Sequence, residues 1–262
     1  MSPSPSRWLF TLVLVCAGFA SRAEAADETA SFKPGDRFVY DLHWSFIKVG
    51  KAELEFDHAA LEPGGPELLH AVFTVRTAGI ADKLFKVRDR IESWMDPDSG
   101  RPQRYVKIQR EGKTKRDVLV EFDWEAMTAT YSDRGVAREP VTITEDTFDP
   151  LSLITALARH SFAEIAQLSQ ATTDGKKLVY IEATLKERER LNLRSGKYDA
   201  YQIDVATNEL KGVFEKSPDA SIEVWFSDDQ PAIPLKMRSE VAVGSFHGEL
   251  REGTYQGRAI GK

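Results

Sequence analysis

The chain has 262 residues, 35 Lys and Arg against 41 Asp and Glu, a formal net charge of −6 and a single cysteine. A mild acidic excess offers no field to a polyanion, which argues against nucleic acid as a partner. One cysteine excludes an intramolecular disulfide and a cysteine-rich metal site, so the fold must be held by packing.

In chain order, the first 25 residues carry one early cation, Arg7, an apolar run from Trp8 to Ala20, and Ala23-Glu24-Ala25. This is the pattern of a secretory signal peptide over 1–25, with cleavage expected before Ala26. The run is too short for a bilayer span, which takes about 20 residues. Cys16 follows Val15, where a lipoprotein signal places a small residue, so no lipid anchor is expected. Removing 1–25 leaves 33 Lys and Arg against 40 Asp and Glu, and no cysteine. The rest contains no other stretch of membrane-spanning length. The expectation is one periplasmic β-rich domain over 26–262 with no transmembrane anchor.

From Arg37, "RFVYDLHWSF" places Phe38, Tyr40, Leu42, Trp44 and Phe46 on one face, the alternation of a half-buried strand. A turn at Gly50 is expected before alternation resumes with Ala52, Leu54 and Phe56. The pattern recurs in "LLHAVFTVRT", "DVLVEFDW", "LVYIEATL", "YQIDVA" and "IEVWF", with Gly, Pro, Asp and Asn clustered between the runs. Regular short strands joined by turn chemistry predict an all-β fold, an antiparallel meander curled into a barrel-like or spiral sheet. One segment differs. "FDPLSLITALARHSF" has Asp149 as N-cap, Pro150 at the first helical position, and Leu151, Ile154, Leu157, Ala158 and Phe162 at helical spacing. It predicts one amphipathic helix packed on or inside the sheet; "GIADKLF" predicts a further helical turn.

Two stretches resemble each other. Residues 91–105, "IESWMDPDSGRPQRY", and 222–237, "IEVWFSDDQPAIPLKM", share Ile-Glu-x-Trp, an aspartate-rich turn, a proline and a basic re-entry. Internal duplication and convergent hairpin design both account for this. Together with "FKPGDRFVYDLHWSFIKVGKAELEF", "DPLSLITAL" and "GKYDAYQIDV", these motifs resemble the bacterial exported family catalogued as domain of unknown function 3108 (DUF3108) over nearly the whole chain after residue 25. The resemblance implies an all-β periplasmic or surface protein and brings no activity with it.

No catalytic constellation stands out. Adjacent Asp228 and Asp229 diverge on an extended chain, whereas two-carboxylate catalysis needs groups facing one substrate. A turn between Ile222–Phe226 and Leu235–Val243 is the expected role, Asp side chains accepting nearby backbone N–H groups. Asp96, Asp98 and Gly100 imitate the start of a calcium loop, but the twelfth position is Lys107 rather than Glu. His43, His58, His70, His160 and His247 form no metal-ligand spacing. No metal and no cofactor are expected. Two surfaces remain as candidates. Tyr40, Trp44, Trp94 and Trp225 are candidate ligand-binding aromatics, if the sheet encloses a cavity. The run "RPQRYVKIQREGKTKR" has seven cations in sixteen residues, making Arg104, Lys107, Arg110, Lys113, Lys115 and Arg116 candidates for contact with an anionic surface; the alternative is a solvated hairpin whose charges discourage edge pairing. The expected function is a non-enzymatic envelope protein binding a lipid or other amphiphile, or an envelope protein or glycan. The rivals are an envelope-glycan hydrolase using Asp89, Glu92 or Asp228, and a purely structural interaction module.

Overall fold

The computed structural model describes residues 31–163, 166–206, 221–241 and 244–261; the expected signal peptide and Cys16 lie outside them. The described chain runs β1 (Arg37–Trp44), β2 (Ile47–Ala59), β3 (Leu68–Thr77), helix α1 (Gly79–Leu84), β4 (Arg88–Met95), β5 (Pro102–Glu111), β6 (Thr114–Asp123), β7 (Thr128–Asp133), β8 (Val136–Ala137) and β9 (Val141–Thr142). After helix α2 (Ser152–Ala158) come β10 (Gln167–Thr173), β11 (Leu178–Leu193), β12 (Gly196–Val205), β13 (Ser221–Ser227), β14 (Pro234–Val241), β15 (Gly244–Tyr255) and β16 (Arg258–Ile260). They form one sheet in the order β10-β11-β12-β13-β14-β15-β1-β2-β3-β4-β5-β6-β7-β8, with β16 on β15 and β9 on β7. Neighbours are antiparallel throughout. The all-β, curled antiparallel architecture expected from the alternation is the one observed.

The two edges of this sheet are joined by a single stretch of chain. β9 pairs with β7. Seven residues on, the Phe148 N–H donates to the Ala171 carbonyl and the Thr173 N–H to the Phe148 carbonyl, both at 2.9 Å, forming a parallel bridge to β10. Gln170 Nε2 adds a bond to the Asp146 carbonyl at 2.6 Å. Backbone groups that would face solvent along β10 are thereby paired, and the curl is closed without a continuous barrel. Inside, Phe38, Tyr40, Leu54, Tyr105, Tyr131, Phe226 and Leu250 form a contiguous packed core.

Because neighbours are antiparallel, alternate connections share one end of the sheet. Residues 45–46, helix α1, residues 112–113, 134–135 and 174–177 fall at what we term the rim end; residues 96–101, 194–195, 228–233 and 256–257 fall at the opposite, helix end. Helix α2 packs at the helix end and begins at Ser152, three residues past the cap expected at Asp149, whose side chain closes the turn that leads into it. Asp149 Oδ1 accepts from the Leu151 and Ser152 N–H groups at 2.7 and 2.9 Å, and Ser152 Oγ accepts from the Asp149 N–H at 2.8 Å. This reciprocal arrangement satisfies donors that no helical carbonyl reaches. The helix is shorter than the periodicity predicts, but Phe162 beyond it still packs on Phe226 with ring centroids 5.1 Å apart.

The look-alike hairpins flank this helix. In both, the re-entry strand carries one extra residue: Trp94 faces Arg104 and Met95 faces Pro102, while Trp225 faces Lys236 and Phe226 faces Pro234. In both, the proline carbonyl accepts from an aromatic side chain, Pro102 from Trp124 Nε1 and Pro234 from Tyr40 Oη, each at 2.8 Å. The turn of the first hairpin accepts Arg159 Nη2 at the Asp98 carbonyl, and that of the second donates the Ala232 N–H to the Ala158 carbonyl.

Two local expectations are corrected. β1 ends at Trp44, Ser45 adopts φ +51°, and Phe46 sits on the hairpin tip rather than on the strand's buried face. Gly50 is not a turn but lies within β2, where a Cβ would stand 2.2 Å from the Arg76 carbonyl oxygen of β3; glycine is needed for that close approach.

Candidate functional site

The four candidate aromatics do not converge. Tyr40 is buried in the core with its hydroxyl bonded to Pro234, and burial pushes its pKa well up. Trp44 is half exposed at the rim end. Trp94 and Trp225 point away from their inward neighbours Met95 and Phe226, because successive strand side chains alternate faces. On that outer face Trp94 stacks on His70 with centroids 4.3 Å apart. Trp225 lies under Lys236 Nζ, 4.7 Å from the ring centroid, and donates its N–H to Glu189 Oε1 at 2.6 Å. Cross-strand partners occupy both indoles, and the core-facing space is filled by other side chains. Two open clefts mark the described surface, one of about 340 Å³ lined by Arg37, Lys51, Glu53, Arg76 and Glu252, the other of about 480 Å³ between residues 61–68 and Asp96, Pro97 and Gln103.

The candidate acids are separated as well. Glu92 is tied to His70 Nε2 at 2.9 Å and to Arg90 through two bonds on the outer face. Burial works against its charge, but Arg90 and His70 hold its pKa below the usual range. Asp228 accepts Arg188 Nη2 at 2.7 Å instead of a nearby backbone N–H, which corrects the local turn bond expected for it. The first hairpin does hold such a bond: Asp96 Oδ1 accepts from the Ser99 N–H at 2.8 Å. Asp89 differs from the other acids. It faces the core near the rim end, accepts the Arg110 N–H at 2.7 Å and is hydrogen-bonded to Glu111. Burial, with Glu111 beside it, pushes its pKa up to about 6. Asp89 and Glu111 stand within hydrogen-bond reach of each other, which leaves no gap for a glycosidic bond, whose flanking acids stand about 5 Å or more apart. Among the described residues no three His, Cys, Asp or Glu side chains converge as a metal site.

What the strands do bring together lies at the rim end. Phe46 and Ile47 on the β1–β2 tip, Ile80, Leu84 and Phe85 on and after α1, and Val136 after β7 are all exposed, Phe46 to 99% and Leu84 to 82%. The tips touch in sequence. The Ala78 N–H bonds the Val49 carbonyl at 2.8 Å, the Gly112 N–H bonds the Lys86 carbonyl at 2.9 Å beneath the Phe85 ring, and the Arg134 side chain reaches the Lys115 carbonyl. Of the basic candidates, Lys113, Lys115 and Arg116 stand on this rim, exposed to solvent. Arg110 is near it but paired with Asp117, Lys107 lies near Asp89, and Arg104 is farther down β5, paired with Glu121 at 2.8 Å.

A protein family described as "Protein of unknown function (DUF3108)" matches residues 39–251. The chain belongs to the DUF3108 family. No curated protein matches it. Among solved structures, a beta-barrel-like protein of domain of unknown function DUF1849 from Brucella abortus is similar, with a TM-score of 0.55 and 12% identity over 84% of this chain and 97% of that one. At that identity the likeness speaks for fold alone. In this DUF3108 chain no helix among the described residues is long and apolar enough to cross a membrane. Sequence reasoning missed α1 as a rim element. Ile80 and Leu84, four apart, share one side of "GIADKLF", Phe85 follows them as the extended C-cap, and no residue of that helix is buried.

Proposed function

We propose that this DUF3108 protein is a non-enzymatic component of the periplasmic cell envelope that binds an amphiphile at the rim of its curled sheet. The observation that carries the reading is the set of six exposed apolar side chains at the end opposite helix α2, on three tips of which the last is joined to the others through the β5–β6 hairpin. Large side chains held in water by a rigid sheet gain about 1.5–3 kcal/mol each when an apolar partner covers them. The packed core speaks against a ligand buried within the sheet, and the direct approach of Asp89 to Glu111 speaks against two-acid hydrolysis. Export rests on residues 1–25 and is tested by cell fractionation. Titration with dodecylphosphocholine micelles, followed by the emission of Trp44, tests the binding. Replacing Leu84 and Phe85 together by serine weakens the association at least about tenfold by the same burial arithmetic. An unchanged affinity, or a wild-type protein that ignores the micelles, would refute the proposal; capture of an envelope protein at the same rim in their place would favour the interaction-module reading.

A further inference from the structure

We infer that the rim docks on a bilayer surface rich in anionic phospholipid, an inference that rests on the amphiphile reading and specifies its headgroup charge. Residues 45–51, 79–88, 110–117 and 134–138, the part of the rim that carries the apolar side chains, hold eleven Lys and Arg against three Asp and Glu, in a chain whose overall balance is acidic. Some of these cations are already engaged: Lys48 with Asp41 at 2.6 Å, Arg88 with Asp82 at 2.6 Å and Arg110 with Asp117 at 2.5 Å. Lys83, Lys86, Lys113, Lys115 and Arg116 have no ion pair among the described residues, and all are exposed. They are interleaved with the apolar side chains, Lys83 and Lys86 bracketing Leu84 and Phe85, and Gly112 at the Lys113 tip lying beneath the Phe85 ring. A soluble anion or a polyanion offers nothing to receive Phe46, Ile47, Leu84 and Phe85. A bilayer interface takes apolar side chains into its acyl boundary and cations at its phosphates, and each Lys or Arg near an anionic surface strengthens binding roughly fivefold. The pattern therefore fits a lipid surface better than any single-phase ligand.

The test is sedimentation of the purified full-length protein with phosphatidylcholine vesicles and with equimolar phosphatidylcholine–phosphatidylglycerol vesicles. The protein is expected to partition onto the anionic vesicles far more strongly, with an affinity that falls as salt rises. K113Q/K115Q/R116Q, at an exposed tip with no side-chain bond to lose, is expected to weaken that binding on the order of a hundredfold. R194Q/K197Q, on the β11–β12 turn at the helix end, serves as the control and should leave binding unchanged. Equal partition onto both vesicle types, salt-independent binding by the wild-type protein, or equal losses in the rim and control variants would each overturn the inference. If dodecylphosphocholine micelles still bind while that charge dependence is missing, the anionic surface falls and the amphiphile reading stands. If neither micelles nor vesicles bind, both fall.

Discussion

Removing the carboxylate of Asp149 should separate capping from charge. Asp149 is fully buried, and its side chain accepts three bonds: from Leu151 N–H, from Ser152 N–H and from Ser93 Oγ at 2.5 Å. Asp149→Ala deletes the N-cap, worth about 1 kcal/mol, and strands the buried Ser93 hydroxyl, worth about 1–3 kcal/mol. The expected loss is thus about 2–4 kcal/mol in urea unfolding. Asp149→Asn keeps an acceptor for the helix N–H groups and can donate to Ser93, so its cost at pH 7.5 should stay within about 1 kcal/mol. Burial, only partly offset by the Ser93, Ser152 and Leu151 bonds, raises the Asp149 pKa to about 6. The folded state then binds a proton that the unfolded state does not between roughly pH 4 and 6, so the group's contribution to stability falls as pH rises through that window and is flat above it. Relative to the Asn variant, the wild-type protein should gain about 2 kcal/mol on going from pH 7.5 to 4.5. Equal destabilisation by Ala and Asn, or wild-type and Asn curves that run parallel in pH, would refute this account of the helix start.

Tyr40→Phe removes the hydroxyl that donates to the buried Pro234 carbonyl and should cost about 1–2 kcal/mol in the same unfolding assay. Glu111→Gln removes the neighbouring acid that helps raise the Asp89 pKa; a carbon-13 NMR titration of the Asp89 carboxyl should show its midpoint moving down toward the ordinary carboxylate range. Asp228→Ala breaks an ion pair whose two side chains are about half exposed, and the melting temperature should shift by less than about 2 °C, an exposed pair being worth about 0–1 kcal/mol.

The strands and the helix start were legible because each follows from a local rule. Alternation marks Phe38 to Leu42, and Asp149-Pro150 announces a capped helix whatever surrounds it. The failures came where the chain meets something distant in sequence. Phe46 continues the alternation of β1 perfectly, but the chain must reverse after Trp44 for β2 to pair with β1. Gly50 reads as a turn residue until β3 is seen approaching it from 26 residues away. Asp228 reads as a turn acceptor, yet Arg188 of β11, 40 residues upstream, takes its carboxylate. The aromatic candidates are scattered for a different reason: in Trp94 and Trp225 the sequence signals a large buried ring but not which face of the sheet buries it. The rim was half visible. Its basic tip appears as a run of charge, whereas its apolar members come from three connections that only the sheet order brings to one end.

The place of β1 in that order bears on how the chain reaches its native state. β1 is not an edge but an inner strand between β2 and β15, with Arg37 opposite Thr254 and Trp44 opposite Phe246. A chain synthesised from its N-terminus can form β1 to β7 as successive hairpins while β15 is still unmade, leaving one flank of β1 open until some 200 residues later. Contacts of such long sequence separation make folding slow and leave intermediates with unpaired strand flanks. The flank left waiting includes Phe38, Tyr40 and Leu42, so the partly made protein presents an apolar, strand-shaped template to any other unfinished copy. Its need for a holdase during synthesis should therefore exceed what the finished molecule's stability suggests.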